Sequence, residues 1–207
     1  MAKSHQRKSG RNKRAQDHFA RRAKREGNAA RSYYKLEEID KKSNIIRPGT
    51  RVLDLGCSPG SWMQYTARRV GEKGQVLGYD LKPVETTLPA HAEARVGDIY
   101  EISLEELGGL FHVIVSDMAP STTGNRATDH LRSAALVERA LDIADSFLKT
   151  GGSVVAKLLE GGEIEALVKR MRQSYKKVER HRPKATRKES TEVFLVGIGK
   201  KPSEIPE

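Results

Sequence analysis

Residues Arg51 to Trp62 read Arg-Val-Leu-Asp-Leu-Gly-Cys-Ser-Pro-Gly-Ser-Trp, a strand-like run that passes a carboxylate and turns through a glycine-bracketed loop. Val52, Leu53 and Leu55 suit a short central strand, and residues 61–71 continue as a helix. Gly56 and Gly60 permit positive φ or close backbone approach between the two. Strand, tight turn and helix open a nucleotide-binding α/β unit.

The spacing within the loop narrows the ligand. A dinucleotide fold needs Gly-x-Gly-x-x-Gly so that a pyrophosphate can rest on bare backbone, whereas this loop is Gly-x-x-x-Gly with Pro59 inside and Ser61 where a further glycine would stand. Phosphate is poorly served. A phosphate-free, cationic adenosine ligand, S-adenosyl-L-methionine, fits better. Asp80 ends the next apolar run, twenty residues beyond Gly60, where such folds place a carboxylate on the ribose hydroxyls. Asp98 repeats the pattern after a third run. Singly, Asp54, Asp80 and Asp98 would each read as a turn or cap residue; together, at successive strand ends behind one glycine loop, they read as a site.

Strands and helices alternate along the rest of the chain, which favours a mostly parallel sheet covered on both faces. Strands are expected near 51–56, 75–80, 93–97, 111–117, 152–159, 175–180 and 192–198, with helices near 31–42, 129–149 and 163–173. Val137, Leu141, Ala144 and Leu148 mark one face of the long helix, and Gly151-Gly152 reads as its stop. The last two strands are joined by a basic, Pro-containing connection without a helix, so they should pair antiparallel. The expected architecture is α/β, a class I S-adenosylmethionine-dependent methyltransferase (Rossmann-like) fold: a mostly parallel seven-stranded sheet with an antiparallel last strand.

At 207 residues the chain is most simply one domain, burying roughly 70% of its unfolded surface. We expect a flexible basic arm over 1–25, one methyltransferase domain over 26–202 and a tail over 203–207. No run of 18 apolar residues exists and the N-terminus lacks a secretory apolar core, which predicts a cytoplasmic protein with no membrane partner. The single Cys57 gives no internal disulfide and, without a His cluster, no metal site. The net charge of +11 is unevenly spread. Residues 1–31 carry eleven Lys and Arg against two acids, and residues 166–188 ten against one, so these blocks hold +18 and the remainder sums to −7. Such blocks attract polyanions. The plainer readings of the first block are a solubility tail or a targeting presequence, although His18, Phe19 and the alternating charges make no clean amphipathic face.

Reaction type must come from the remaining strand ends. Enzymes that methylate exocyclic amines commonly carry Asn/Asp-Pro-Pro-aromatic after the fourth strand; here Asp117-Met-Ala-Pro does not match. Base-carbon methylation commonly relies on a cysteine nucleophile, and Cys57 sits in the cofactor loop. Val154-Val-Ala-Lys157-Leu-Leu places a lysine inside a strand that should be deeply buried, so its ammonium needs a carboxylate, an opening to the cleft, or loss of a proton. Asp117 and Glu192 are the available carboxylates. A paired core lysine that merely pins two strands is the structural alternative.

Lys35 in Ser32-Tyr-Tyr-Lys-Leu-Glu-Glu-Ile, Asp117 in Ser-Asp-Met-Ala-Pro, Lys157 in Val-Val-Ala-Lys and Glu192 in Thr-Glu-Val-Phe match, in order, the Lys-Asp-Lys-Glu quartet of the FtsJ/RrmJ-type ribose 2′-O-methyltransferases, which this chain resembles from about Asp17 to Pro202. The match alone singles out Lys35, otherwise a solvated helix lysine. It implies Lys157, Lys35, Asp117 and Glu192 as the catalytic set, and Gly60, Trp62, Asp80, Asp98 and Asp117 as cofactor contacts. Ser61 departs from the usual second glycine of the loop and Ser58 from the usual alanine; both are small. The resemblance further implies methylation of a uridine 2′-oxygen in large-subunit (23S) ribosomal RNA, in the A-loop of the assembling 50S particle, by a monomer. Tyr33 and Tyr34 are expected either to stack on an unpaired base or to join the helix stripe. Three rivals stand beside this reading: methylation of tRNA by the same quartet, a non-catalytic RNA-binding assembly factor, and a small-molecule methyltransferase, which would have no use for two polybasic blocks.

Overall fold

The computed structural model describes residues 18–102, 105–187 and 189–202. After a short helix α1 over 18–25 come α2 (Tyr33–Ser43), β1 (Arg51–Leu55), α3 (Ser61–Val70), β2 (Gln75–Asp80) and β3 (Ala92–Val96). A 3₁₀ turn (Glu105–Leu107) leads to β4 (Phe111–Ser116), α4 (Arg126–Phe147), β5 (Leu148–Leu159), α5 (Ile164–Ser174), β6 (Tyr175–His181) and β7 (Glu192–Lys200). The seven strands form one sheet in the order β3-β2-β1-β4-β5-β7-β6. Strands β1 to β5 run parallel, and β7 enters antiparallel between β5 and β6.

Burial explains the strand sequences. Strands β1 and β4 lie at the centre with helices on both faces, so Val52, Leu53 and Leu55, like Val113, Ile114 and Val115, are all buried and do not alternate. Edge strand β6 keeps exposed Lys176 and Lys177. Helices α4 and α5 cover one face around Leu53, Ile114 and Leu195. The other face packs Val52, Val113 and Phe194 against α2 and α3. The chain winds outward from β1 to β3 and then restarts beside β1 with β4. That reversal opens a crevice beyond the carboxyl ends of the strands, where α/β sheets bind ligands.

Three expectations need correction. The arm expected over 1–25 has its first 17 residues, like tail residues 203–207, outside the described residues, whereas 18–25 form a helix with Ala23 buried and Phe19 against the Tyr34 ring, 5.6 Å between centroids. Phe19 and Ala23 are one helical turn apart, which gives α1 the apolar face its alternating charges obscured. Second, α4 ends at Phe147 and β5 starts at once with Leu148. Gly151-Gly152 does not stop the helix; buried Lys200 does, its Nζ donating to the carbonyls of Ala144, Asp145 and Leu148 at 2.9, 2.6 and 3.0 Å. Third, Tyr33 and Tyr34 are both buried, the first bonded to Arg68 and the second donating to Glu26, so neither is free to stack on a base.

Candidate active site

The β5–β7 ladder sets the quartet's geometry. Lys157 stands opposite Phe194, and Leu159 opposite Glu192. Residues directly opposite share a face, so Lys157 and Glu192 both point toward the side covered by α2. From α2, Lys35 brings its Nζ to 2.6 Å from Glu192 Oε1 and 5.7 Å from the centroid of the Phe194 ring. Lys157 Nζ lies 2.9 Å from Asp117 Oδ1, off the hydrogen-bonding direction, and donates to the Asp117 main-chain carbonyl. Both lysine side chains are only 8% exposed, so each ammonium depends on its own carboxylate. The lysines are thus not crowded against a shared acid; they form two pairs, with Phe194 across the ladder from one and beside the other. Thr186 donates to Glu192 as well, at 3.3 Å.

The glycine loop is fixed by close packing. A Cβ on Gly56 would meet Met118 Cγ at 2.7 Å and Met118 N at 2.9 Å, so the turns after β1 and β4 can touch only because position 56 has no side chain. Asp80 pins this loop to the end of β2: its Oδ2 accepts from Ser58 N and its Oδ1 from Lys82 N, both at 2.9 Å. Asp98 Oδ1 accepts from Tyr100 N at 3.0 Å. Asp80 and Asp98 line a cleft of about 200 Å³ with Gly56, Gly97, Tyr100 and Met118. Gly60 and Trp62 do not line it. A Cβ on Gly60 would meet Val84 at 2.8 Å, and the buried Trp62 indole donates to Ser32 O at 2.9 Å, 5.7 Å from the Phe194 ring. Trp62 therefore ties the start of α3 to the segment that carries Lys35, leaving only its main chain for a ligand.

Asp54, on β1, adds a third carboxyl close to those of Asp80 and Asp117 without lining the cleft. It is fully buried, and neither carboxylate oxygen has a hydrogen-bond partner. Burial, helped by the charges of Asp117 and Asp80, raises its pKa well above the ordinary carboxylate range. Burial and the same acidic neighbourhood push the Cys57 thiol upward, which leaves no reactive thiolate in the loop. The two fixed strand-end aspartates, Asp80 and Asp98, suit a cationic ligand. At the rim near Glu192, burial and the Arg187 charge lower the Arg31 pKa. The last arginine of the first basic block thus meets one from the end of the second. Sequence reading missed Phe194, Met118 and this arginine pair, since β-register and loop contacts have no local signature.

A doubly wound sheet with a glycine loop, strand-end acids and no phosphate cradle defines a Rossmann-like methyltransferase. The model of the FtsJ-like methyltransferase family matches residues 29–200, and the chain belongs to that family. It is 46% identical over 190 residues to ribosomal RNA large subunit methyltransferase E of Desulfosudis oleivorans, covering 90% of this chain and 92% of that one. Identity to the protein of the same name in Bdellovibrio bacteriovorus is 48% over 191 residues, 89% and 97% of the two chains. A solved Plasmodium falciparum chain bearing the name ribosomal RNA methyltransferase superposes with a TM-score of 0.73 at 26% identity, over 83% of this chain and 97% of that one.

Proposed function

We propose that this methyltransferase uses S-adenosyl-L-methionine to methylate the ribose 2′-oxygen of a uridine in large-subunit (23S) ribosomal RNA, in the A-loop of the assembling 50S particle, acting as a cytoplasmic monomer. The observation that carries the reading is the pair of buried lysine–carboxylate contacts, Lys157–Asp117 and Lys35–Glu192, in which every member of the quartet finds a partner. The names of the bacterial relatives support large-subunit RNA as the substrate.

The donor, when bound, supplies a methyl group on a cationic sulfonium, already activated for displacement. Asp80 would hold its ribose hydroxyls, Asp98 the adenine side, Gly60 and Trp62 would shape the loop and helix start behind it, and Asp117 would border the reacting end. A ribose hydroxyl is weakly acidic, so the protein must align its oxygen and remove one proton. The Asp117 main-chain carbonyl occupies one of the three Lys157 N–H directions, and the 2′-oxygen would take another. That contact steers the lone pair and stabilises negative charge developing on the oxygen. Lys157 would pass one proton to Asp117 Oδ1, which has no aligned donor, and take the hydroxyl proton in its place, so the pair ends with one added proton and Asp117 neutral. Lys35, held by Glu192, would meet the ribose or its phosphate.

Lys157→Ala is expected to bind the donor nearly as well as the parent by calorimetry and to lose methyl transfer to ribosomal particles by about 10²-fold or more. Transfer within tenfold of the parent would remove Lys157 from the chemistry.

A further inference from the structure

A second cleft, of about 300 Å³, opens at the opposite end of the sheet, where strands begin, and the site above uses none of it. An irregularity in the β4–β5 ladder builds it: Phe111 pairs with Leu148 and Val113 with Ser153, so residues 149–152 bulge outward opposite His112. Gly151, at φ 81°, permits the bend. Arg47, Thr50, His112, Lys149, Thr150 and Ser153 line the space, a set with two fixed cations and no carboxylate.

His112 poses a hydrogen-bonding problem. Its Nδ1 accepts from the Arg51 main-chain N–H at 3.0 Å. A neutral imidazole has one acceptor nitrogen and one donor nitrogen, so Nε2 carries the hydrogen. Lys149 Nζ, itself a donor, stands 3.2 Å from that Nε2. Two donors face each other without an acceptor. Protonating the ring would break the Arg51 bond and add a second positive charge; burial and the Lys149 charge in fact hold its pKa below the usual histidine value. Among the described residues no acid pairs with Lys149 or His112. Glu179, on β6, is engaged by Lys177, His181 and the Ser43 hydroxyl, while the Arg51 guanidinium is turned toward Gln75 and the carbonyls of Leu107 and Gly109.

We infer that this cleft binds a phosphate-class oxyanion, which accepts from His112 Nε2–H and Lys149 Nζ together, with Arg47 at the rim. One anion oxygen between the two donors turns a repulsive contact into two charge-assisted hydrogen bonds. The same chemistry is offered by inorganic phosphate and by an RNA phosphodiester, the second depending on the proposed function and the first not.

The test titrates inorganic phosphate into the full chain, with chloride at matched ionic strength as control, and follows the ¹⁵N resonances of His112. Expected are a hydrogen on Nε2, a saturable phosphate-dependent shift, and about a tenfold weaker response in Lys149→Gln. A large-subunit RNA fragment then identifies the source. A salt slope reduced by about 1 in Lys149→Gln assigns the site to a phosphodiester, and an unchanged slope beside intact phosphate binding assigns it to the free anion. A hydrogen on Nδ1, or no saturable response beyond chloride, overturns the site. Methyl transfer enters neither readout, so failure here leaves the proposed function standing.

Discussion

Asp54 shows how a single buried side chain makes stability depend on pH. In the folded protein its pKa is raised by burial and by two neighbouring acids, while in the unfolded chain it ionises near pH 3.9. The native state therefore binds the extra proton above that pH, and the stability associated with Asp54 falls as pH rises until its folded pKa is reached. Asp54→Asn should remove this decline: urea unfolding of the ligand-free variant should show a flatter loss of stability between pH 4.5 and 7.5 than the parent. Identical slopes would mean that Asp54 is not held neutral. At this scale the sequence was informative where chemistry was conspicuous. Lys157 announced itself as an ammonium inside an apolar run, and Asp80 and Asp98 by position after strands. Lys35 announced nothing, because the 2.6 Å contact that buries it is with a residue from the far end of the chain, and only family resemblance selected it.

Elements were legible wherever local periodicity and packing agree. All seven strands occur near the expected runs, although β5 begins at Leu148 rather than near 152, and the helixless connection between the last two forecast their antiparallel pairing. Ends determined by distant partners were not legible. The stop of α4 is Lys200, more than fifty residues away, which donates to the carbonyls of Ala144, Asp145 and Leu148 where Gly151-Gly152 was expected to end the helix. Lys200→Met keeps the side-chain bulk and removes the donors. It should cost about 2–3 kcal/mol in urea unfolding, the penalty for taking the donor from the Asp145 and Leu148 carbonyls, while Ala144 O keeps the Leu148 N–H. A cost below about 0.5 kcal/mol would show that water or the neighbouring turn satisfies the helix end instead. Trp62, which only the family resemblance singled out, shows the same dependence on a distant partner: its indole braces the Ser32 carbonyl.

Across the whole molecule, charge and topology converge on the same rim. Two basic blocks far apart in sequence end near one another, with Arg31 feeling the charges of both Arg187 and Glu192. Composition revealed the blocks, and only the fold revealed their meeting. Residues 1–17 carry six Lys and Arg. Deleting 2–17 spares the packed helix α1 and should weaken RNA binding while reducing the magnitude of its salt slope by up to about 5, with donor affinity unchanged. An unaltered slope would return the segment to a solubility role. The central claim concerns which atom receives the methyl group, and alkaline hydrolysis reads that directly, because a 2′-hydroxyl must attack the adjacent phosphate for the RNA chain to break. Large-subunit particles from cells lacking this protein, incubated with it and a methyl-labelled donor, should yield label in an alkali-resistant dinucleotide containing one uridine, and Lys157→Ala should yield none. Label recovered in alkali-labile mononucleotides would place the methyl on a base and contradict the account.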